Sequence, residues 1–207
     1  MQNIVFDWTG VIKDAVHEHL RVVNRMFEEL EVPPLSLDEL KETWKQPYMD
    51  FYKTHLPDLT MERQKEVYFK AFSEVSGAKA YEGMVKLLKK LKSQNYKMVL
   101  LSSDSPKSLC VEMKNFDLEN IFDDMELEVH DKVDHIKDLV SRNKMDAEKT
   151  AIIGDTNNEI EAGKSVNIKT IAVTWGLCSE KNLKQYGPDH IVHTVQNLEE
   201  ILNIQKN

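Results

Sequence analysis

Apolar residues in this chain gather in short unbroken runs, and the stretches between them carry helical spacing. The runs are 4–7 (IVFD), 98–103 (MVLLSS), 151–155 (AIIGD) and 170–176 (TIAVTWG), with 190–195 (HIVHTV) a fifth. Runs that do not alternate apolar with polar describe strands covered on both faces, hence a parallel sheet. Helical spacing predicts helices over 83–93, 106–115, 132–143, 158–166 and 198–205. Such alternation is the pattern of a doubly wound α/β domain, Rossmann-like in its parallel sheet.

The alternation breaks once. From residue 14 to about residue 80 the pattern is helical throughout. Val16, Leu20, Val23, Phe27 and Leu30 lie on one helical face. Pro33-Pro34 stops that helix, and Ser36 with Glu39 forms a capping box for the next. A further helical stretch runs over 59–75, with Thr60 as its cap. The expected organisation is therefore a core of 1–13 plus 81–207 and an all-helical insert, 14–80, between the first two core strands. Asp14 reads either as an acid that accompanies the Asp7–Gly10 turn or simply as the cap of the first insert helix.

Composition narrows the function. The 207 residues suffice for one domain or a core with a smaller insert, and 41% hydrophobic against 30% charged is ordinary globular usage. A net charge of -8 argues against broad binding to nucleic acid or to an anionic membrane. It leaves room for a small phosphorylated metabolite, which needs only a local positive site. The chain opens on a core strand without a basic start, and no apolar run approaches the ~20 residues of a membrane helix. A cytoplasmic protein, monomer or homodimer, is expected. Cys110 and Cys178 lack metal-type spacing and are expected to be reduced thiols.

Ligands of doubly wound sheets bind beyond the carboxyl ends of the strands. Those ends carry Asp7, the pair Ser102-Ser103, and Gly154-Asp155 with Glu159 four residues on. Carboxylates converging at one sheet edge repel unless a cation lies between them, and hard oxygen donors suit Mg²⁺. Lys132, past an expected strand at 125–129, can meet phosphate oxygens as a point charge, with Lys137 as the competing choice. Ser103 is preferred over Ser102 as the hydroxyl at its strand end, although a shift of one residue would exchange them.

In order and spacing these positions resemble the four motifs of the haloacid dehalogenase-like hydrolase superfamily. Asp7-Trp8-Thr9-Gly10-Val11 is similar to its first motif, Ser103 to its second, Lys132 to its third and Gly154-Asp155-Thr156-Asn157-Asn158-Glu159 to its fourth. The helical insert lies where the subclass I cap lies. The resemblance implies that Asp7 attacks phosphorus and becomes an aspartyl-phosphate. It implies Mg²⁺ held by Asp7, the Thr9 carbonyl, Asp155 and Glu159, and phosphate held by Ser103, Asp104, Lys132 and the turn at Gly10.

Thr9 departs from the pattern. Most phosphomonoesterases of the superfamily carry Asp there, which protonates the leaving oxygen and then activates water. A hydroxyl lacks that acidity, and such help is worth ~10²–10⁴ in rate. Ion-pumping ATPases of the superfamily carry Thr, and phosphonoacetaldehyde hydrolases carry Ala in a motif beginning Asp-Trp. Thr9 is thus compatible with slow turnover, with substrates that have good leaving groups such as acyl phosphates, or with an acid recruited from the cap. The phosphonate-cleaving branch and a phosphate-binding homologue without turnover are the alternatives.

The insert carries an aromatic cluster, WKQPYMDFY at 44–52. It reads either as insert core or as a substrate-selecting loop, with Trp44, Tyr48 and Lys53 the candidates and Lys45 nearby. His17 and His19, two apart on a helix, are expected at the surface. His190 and His193 are not expected to be ligands, and Trp175-Gly176 reads as packing and a turn.

Overall fold

The computed structural model describes residues 1–72 and 79–202. A first strand, β1 (Asn3–Phe6), is followed by a two-residue strand, β2 (Lys13–Asp14). Four helices come next: α1 (Val16–Glu29), α2 (Leu37–Thr43), α3 (Tyr48–His55) and α4 (Met61–Phe72). A second two-residue strand, β3 (Lys79–Ala80), leads into α5 (Met84–Ser93), β4 (Lys97–Leu101), α6 (Pro106–Asn115), β5 (Asp124–Glu126) and α7 (Lys132–Arg142). The chain ends with β6 (Thr150–Gly154), α8 (Asn157–Ser165), β7 (Lys169–Val173), α9 (Glu180–Lys184), β8 (His190–Val192) and α10 (Val195–Ile201).

Six strands form one parallel sheet in the order β5-β4-β1-β6-β7-β8. β1 is central: Ile4 pairs with Met98 on one side and Ala151 on the other. Its alternate residues enter different apolar layers. Ile4 and Phe6 join Leu88, Met98 and Leu198, whereas Val5 joins Val99, Ile136, Leu139 and Ile152. Both faces of the strand are therefore covered, which is why its apolar run is unbroken. Successive strands are laid outward on either side of the β1–β6 pair, so a crevice for ligands opens at the carboxyl ends of those two strands.

Five helices end in the same way. Glu31, Asn95, Asp117, Lys144 and Asn167 take φ between 53° and 59° just past α1, α5, α6, α7 and α8. In each case the next residue's N–H reaches back five positions, as from Val32 to the Phe27 carbonyl at 2.8 Å and from Ile168 to the Gly163 carbonyl at 3.0 Å. The first helix is thus stopped at Glu29 by a left-handed turn, before Pro33-Pro34. The Ser36–Glu39 capping box is present, and Thr60 accepts from the Arg63 N–H at 3.2 Å.

Some boundaries differ from expectation. Asp14 pairs in β2 and does not cap α1, which starts after Ala15 without a side-chain cap. The strand expected at 125–129 is Asp124–Glu126, ended by Glu128 in the left-handed region. The last helix starts at Val195 because Thr194 caps it through the Asn197 N–H. Residues 73–75 and 203–205 of the expected helices lie outside the described residues.

β2 and β3 pair antiparallel, Lys13 with Ala80 and Asp14 with Lys79, and so bring the two ends of the helical segment together. The apolar cluster of α1–α4, including Val23, Phe27, Trp44, Phe51 and Tyr52, runs on into Ile160, Ala172, Leu177 and Leu183. Polar bonds reinforce this seam. Lys41 Nζ donates to the Thr174 carbonyl at 2.8 Å, the Ser179 N–H to the Lys41 carbonyl at 2.8 Å, and Asn182 Nδ2 to the Trp44 carbonyl at 2.7 Å. Among the described residues no helix is long and apolar enough to cross a membrane.

Candidate active site

The chain turns sharply after β1. The N–H groups of Val11, Ile12 and Lys13 all point to the Trp8 carbonyl, and the Gly10 N–H bonds to the Lys13 carbonyl at 2.9 Å. Gly10 has φ +87°, and a Cβ there would fall 2.0 Å from Asp155 Oδ2, so glycine is needed for both conformation and space. Gly176, after β7, leaves room on the other side of the same carboxylate. The turn is fixed from behind by α6: Glu112 accepts from Trp8 Nε1 at 2.7 Å and from buried Lys13 at 2.7 Å, and Trp8 stacks on Phe116.

Asp7, Asp155 and Glu159 converge in front of this turn. Each is buried and offers an oxygen within 4.8 Å of the others. Lys132, the first residue of α7, donates to Asp7 Oδ1 and to Glu159 Oε1, both at 2.6 Å. Its backbone N–H is held by Asn158 Oδ1 at 3.1 Å, which ties the start of α7 to α8. The second Glu159 oxygen accepts from the Thr156 N–H and hydroxyl, a capping box that fixes the carboxylate at the helix start.

Charge in the cluster does not balance. Fully ionised, three carboxylates against one ammonium would leave two uncompensated negative charges. Burial pushes the Asp7 carboxyl up to about 7; Lys132 opposes this and Glu159 adds to it. Burial likewise raises Asp155 far above the carboxylate range, with Asp7 and Glu159 contributing. For Lys132 burial alone would lower the pKa, but its two carboxylate partners outweigh it and hold the ammonium firmly charged. Asp155 Oδ2 accepts from the Leu177 N–H at 2.6 Å, whereas Oδ1 is buried without a partner. A buried carboxylate oxygen with no donor, amid excess negative charge, fits a hard divalent cation.

A second polar group lies across the turn. Thr9 donates its hydroxyl to Asp104 Oδ2 at 2.8 Å, and Ser102 donates to the same oxygen at 2.8 Å. The helical segment comes over this side. Tyr68 of α4 is a neighbour of Asp104 and Glu18, and its phenol is pushed up to about 12, mainly by burial and then by those acids. Tyr48 of α3 packs edge-on to His130 at 6.1 Å. Asn157 and Gln46 exchange two amide hydrogen bonds of 2.9 Å, which dock the Gln46-Pro47 loop on the start of α8.

Comparison with known proteins gives this geometry a family. Residues 4–173 match the family described as haloacid dehalogenase-like hydrolase. The chain belongs to that family. A phosphoglycolate phosphatase from Psychrobacter arcticus is 24% identical over 208 residues, covering 90% of this chain and 89% of its own. A pyrophosphatase PpaX from Bacillus mycoides is 28% identical over 130 residues, which cover 59% of this chain and 60% of that protein. Among solved structures, a haloacid dehalogenase-like family hydrolase from Streptococcus pneumoniae superposes with a TM-score of 0.79 over 99% of both chains at 23% identity, a likeness of fold.

Within this hydrolase fold the expected site residues fall unevenly. Asp7, Lys132, Asp155 and Glu159 meet in one buried cluster, with Thr9 and Gly10 at its edge. Ser103 does not join it. β4 ends at Leu101, so Ser102 is fully buried against Asp104 while Ser103 faces solvent. Ser102 rather than Ser103 thus turns its hydroxyl inward to Asp104, by the shift of one residue to which a strand end is subject. Asp104 presents a carboxylate that accepts from two hydroxyls, an unsuitable partner for phosphate oxygens. Trp44 belongs to the apolar core of the insert, and Lys53 is exposed on α3. His19 is not a surface residue in its chemistry. It is only part-buried as a whole, yet its Nε2 is shut off from solvent and its ring lies edge-on to Trp44 at 4.4 Å. Asp104 as a partner of Thr9, Tyr68 and Asn158 were missed. Their relation to the motifs runs through side chains far apart in sequence, which periodicity does not register.

Proposed function

We propose that this chain is an Mg²⁺-dependent phosphatase for small phosphorylated metabolites, acting through an aspartyl-phosphate on Asp7. The observation that carries the reading is the buried cluster of Asp7, Asp155 and Glu159 with Lys132 inside it. Its intactness speaks against a homologue that binds phosphate without turnover. The phosphatase relatives are consistent with it, each by its own name. In this reading residues 14–80 are the cap and 1–13 plus 81–207 the core, and the cap closes over the substrate. The exposure of Lys53 counts against it as a Schiff-base lysine, which needs a dry pocket.

Mg²⁺ would be held by Asp7, Asp155 and the Thr9 carbonyl, with Glu159 beside it, and would supply neutralisation of phosphate charge. Asp7 attacks phosphorus; the new P–O bond forms as the bond to the leaving oxygen breaks. Lys132 holds Asp7 in line and lies next to the equatorial oxygens, and Ser102 is the hydroxyl for another of them. Water then attacks phosphorus and frees Asp7.

Thr9 offers no acid to the leaving oxygen, so the first step depends on a leaving group that departs unassisted. Acyl phosphates meet that demand, as do phosphoanhydrides of the kind that the PpaX name denotes. The test is a series of aryl and acyl phosphates of graded leaving-group acidity. The rate should climb steeply along the series, and Thr9→Asp should lift the poor leaving groups selectively, by ~10²-fold or more. A wild-type rate that is flat across the series would sink this account of Thr9.

A further inference from the structure

The reaction has a second half, and there too Thr9 stands where a carboxylate is expected. The hydrogen-bond polarity around Thr9 is informative. Its hydroxyl proton is committed to Asp104 Oδ2 at 2.8 Å. The remaining electron pairs of Oγ1 can therefore only accept. Ser102 donates to that same Asp104 oxygen at 2.8 Å, and the Asp104 N–H returns a bond to Ser102 Oγ at 3.2 Å. Asp104 is thereby fixed to the end of β4 and is half-buried. When Ser102 turns its hydroxyl to a phosphate oxygen, Asp104 is left with Thr9 alone.

We propose that Asp104 is a positioning residue that acts through Thr9: it makes Thr9 Oγ1 the acceptor for the water that hydrolyses the aspartyl-phosphate. This rests on the phosphatase reading above and deepens it. The step balances. The water oxygen forms a bond to phosphorus as the bond from phosphorus to the Asp7 oxygen breaks. One water proton passes to Thr9 Oγ1 while the proton of Thr9 passes to Asp104 Oδ2. Asp7 is released as carboxylate, phosphate departs, and the proton on Asp104 is lost to solvent. The expected carboxylate is thus supplied from the β4–α6 loop, one hydroxyl removed from the reacting water. The relay serves the second step and leaves the first without an acid, in agreement with a demand for good leaving groups.

Rapid acid quench with ³²P-labelled acetyl phosphate and Mg²⁺ separates the two steps. Wild type, Asp104→Asn, Asp104→Ala and Thr9→Val would be compared, with thermal unfolding as a check on folding. Label should reach Asp7 at close to the wild-type rate in all three variants. Hydrolysis of the labelled protein should slow by ~10²-fold or more, so that label accumulates. Combining Thr9→Val with Asp104→Ala should be no slower than either alone, because the two act as one unit. Thr9→Val keeps the backbone carbonyl and leaves Asp104 in place, so it tests the relay even if an Asp104 variant folds poorly. Hydrolysis at the wild-type rate in Asp104→Ala and Thr9→Val would overturn the proposal, as would equal losses in labelling and hydrolysis. A wild-type chain that neither labels nor releases phosphate would overturn the phosphatase reading itself, a distinct result.

Discussion

Lys132 is the residue on which the buried charge turns. It sits between Asp7 and Glu159 with almost none of its surface exposed, and Asp155 stands beside them. Removing it strands three carboxylates in a dry site. Lys132→Met should cost about 3–5 kcal/mol of stability in the absence of metal. Mg²⁺ should return more of that loss to the variant than it adds to wild type, because the cation then carries all the compensation. Thermal unfolding with Mg²⁺ and with EDTA reads both effects; a variant as stable as wild type in EDTA would mean that the ammonium is not what holds the cluster. The four members of this cluster could be found in the sequence because three of them end apolar runs or follow one at a helical spacing. Ser103 falls outside the cluster, and Ser102 turns inward, for a local reason, the strand ending at Leu101. The bond from Thr9 to Asp104 spans 95 positions and leaves no periodic trace.

At the scale of elements, most strands and helices follow from pattern, because each apolar stripe has one face or layer to fill. The five left-handed helix ends were not foreseen, since Glu31, Asp117 and Lys144 are not residues that announce such a turn. The position of His19 was hidden too. Spacing along α1 describes that helix alone, whereas α2 and its following loop bring Trp44 against the imidazole. Burial lowers His19 from 6.5 to about 4. As pH falls below 6.5 the unfolded chain takes up a proton that the folded chain refuses, so stability declines, and the decline levels off below about 4. The loss should be on the order of 1–3 kcal/mol and centred on the helical segment. His19→Gln should flatten that part of the curve of unfolding free energy against pH. An unchanged slope between pH 6.5 and 4 in the variant would assign the acid sensitivity elsewhere.

The whole molecule brings a sheet edge and a helical segment together over one crevice. The sheet supplies Asp7 and Asp155 from neighbouring strands, which only its strand order makes adjacent. The segment contributes Tyr68 and Tyr48 from above and is bonded to the core through Trp44, Lys41 and Gln46. The run of helices α1–α4 after the first strand could be read from an interruption in the strand–helix alternation. Its docking could not, because partners such as Trp44 and Asn182 lie 138 positions apart and meet through a carbonyl and an amide. The most direct test of the central claim is phosphate release from acetyl phosphate and a set of phosphomonoesters, with Mg²⁺ and with excess EDTA, in wild type and Asp7→Asn. The account predicts turnover that disappears with EDTA and falls by about 10³-fold or more in Asp7→Asn, which still folds. Turnover that survives in Asp7→Asn, or that is indifferent to EDTA, would contradict it.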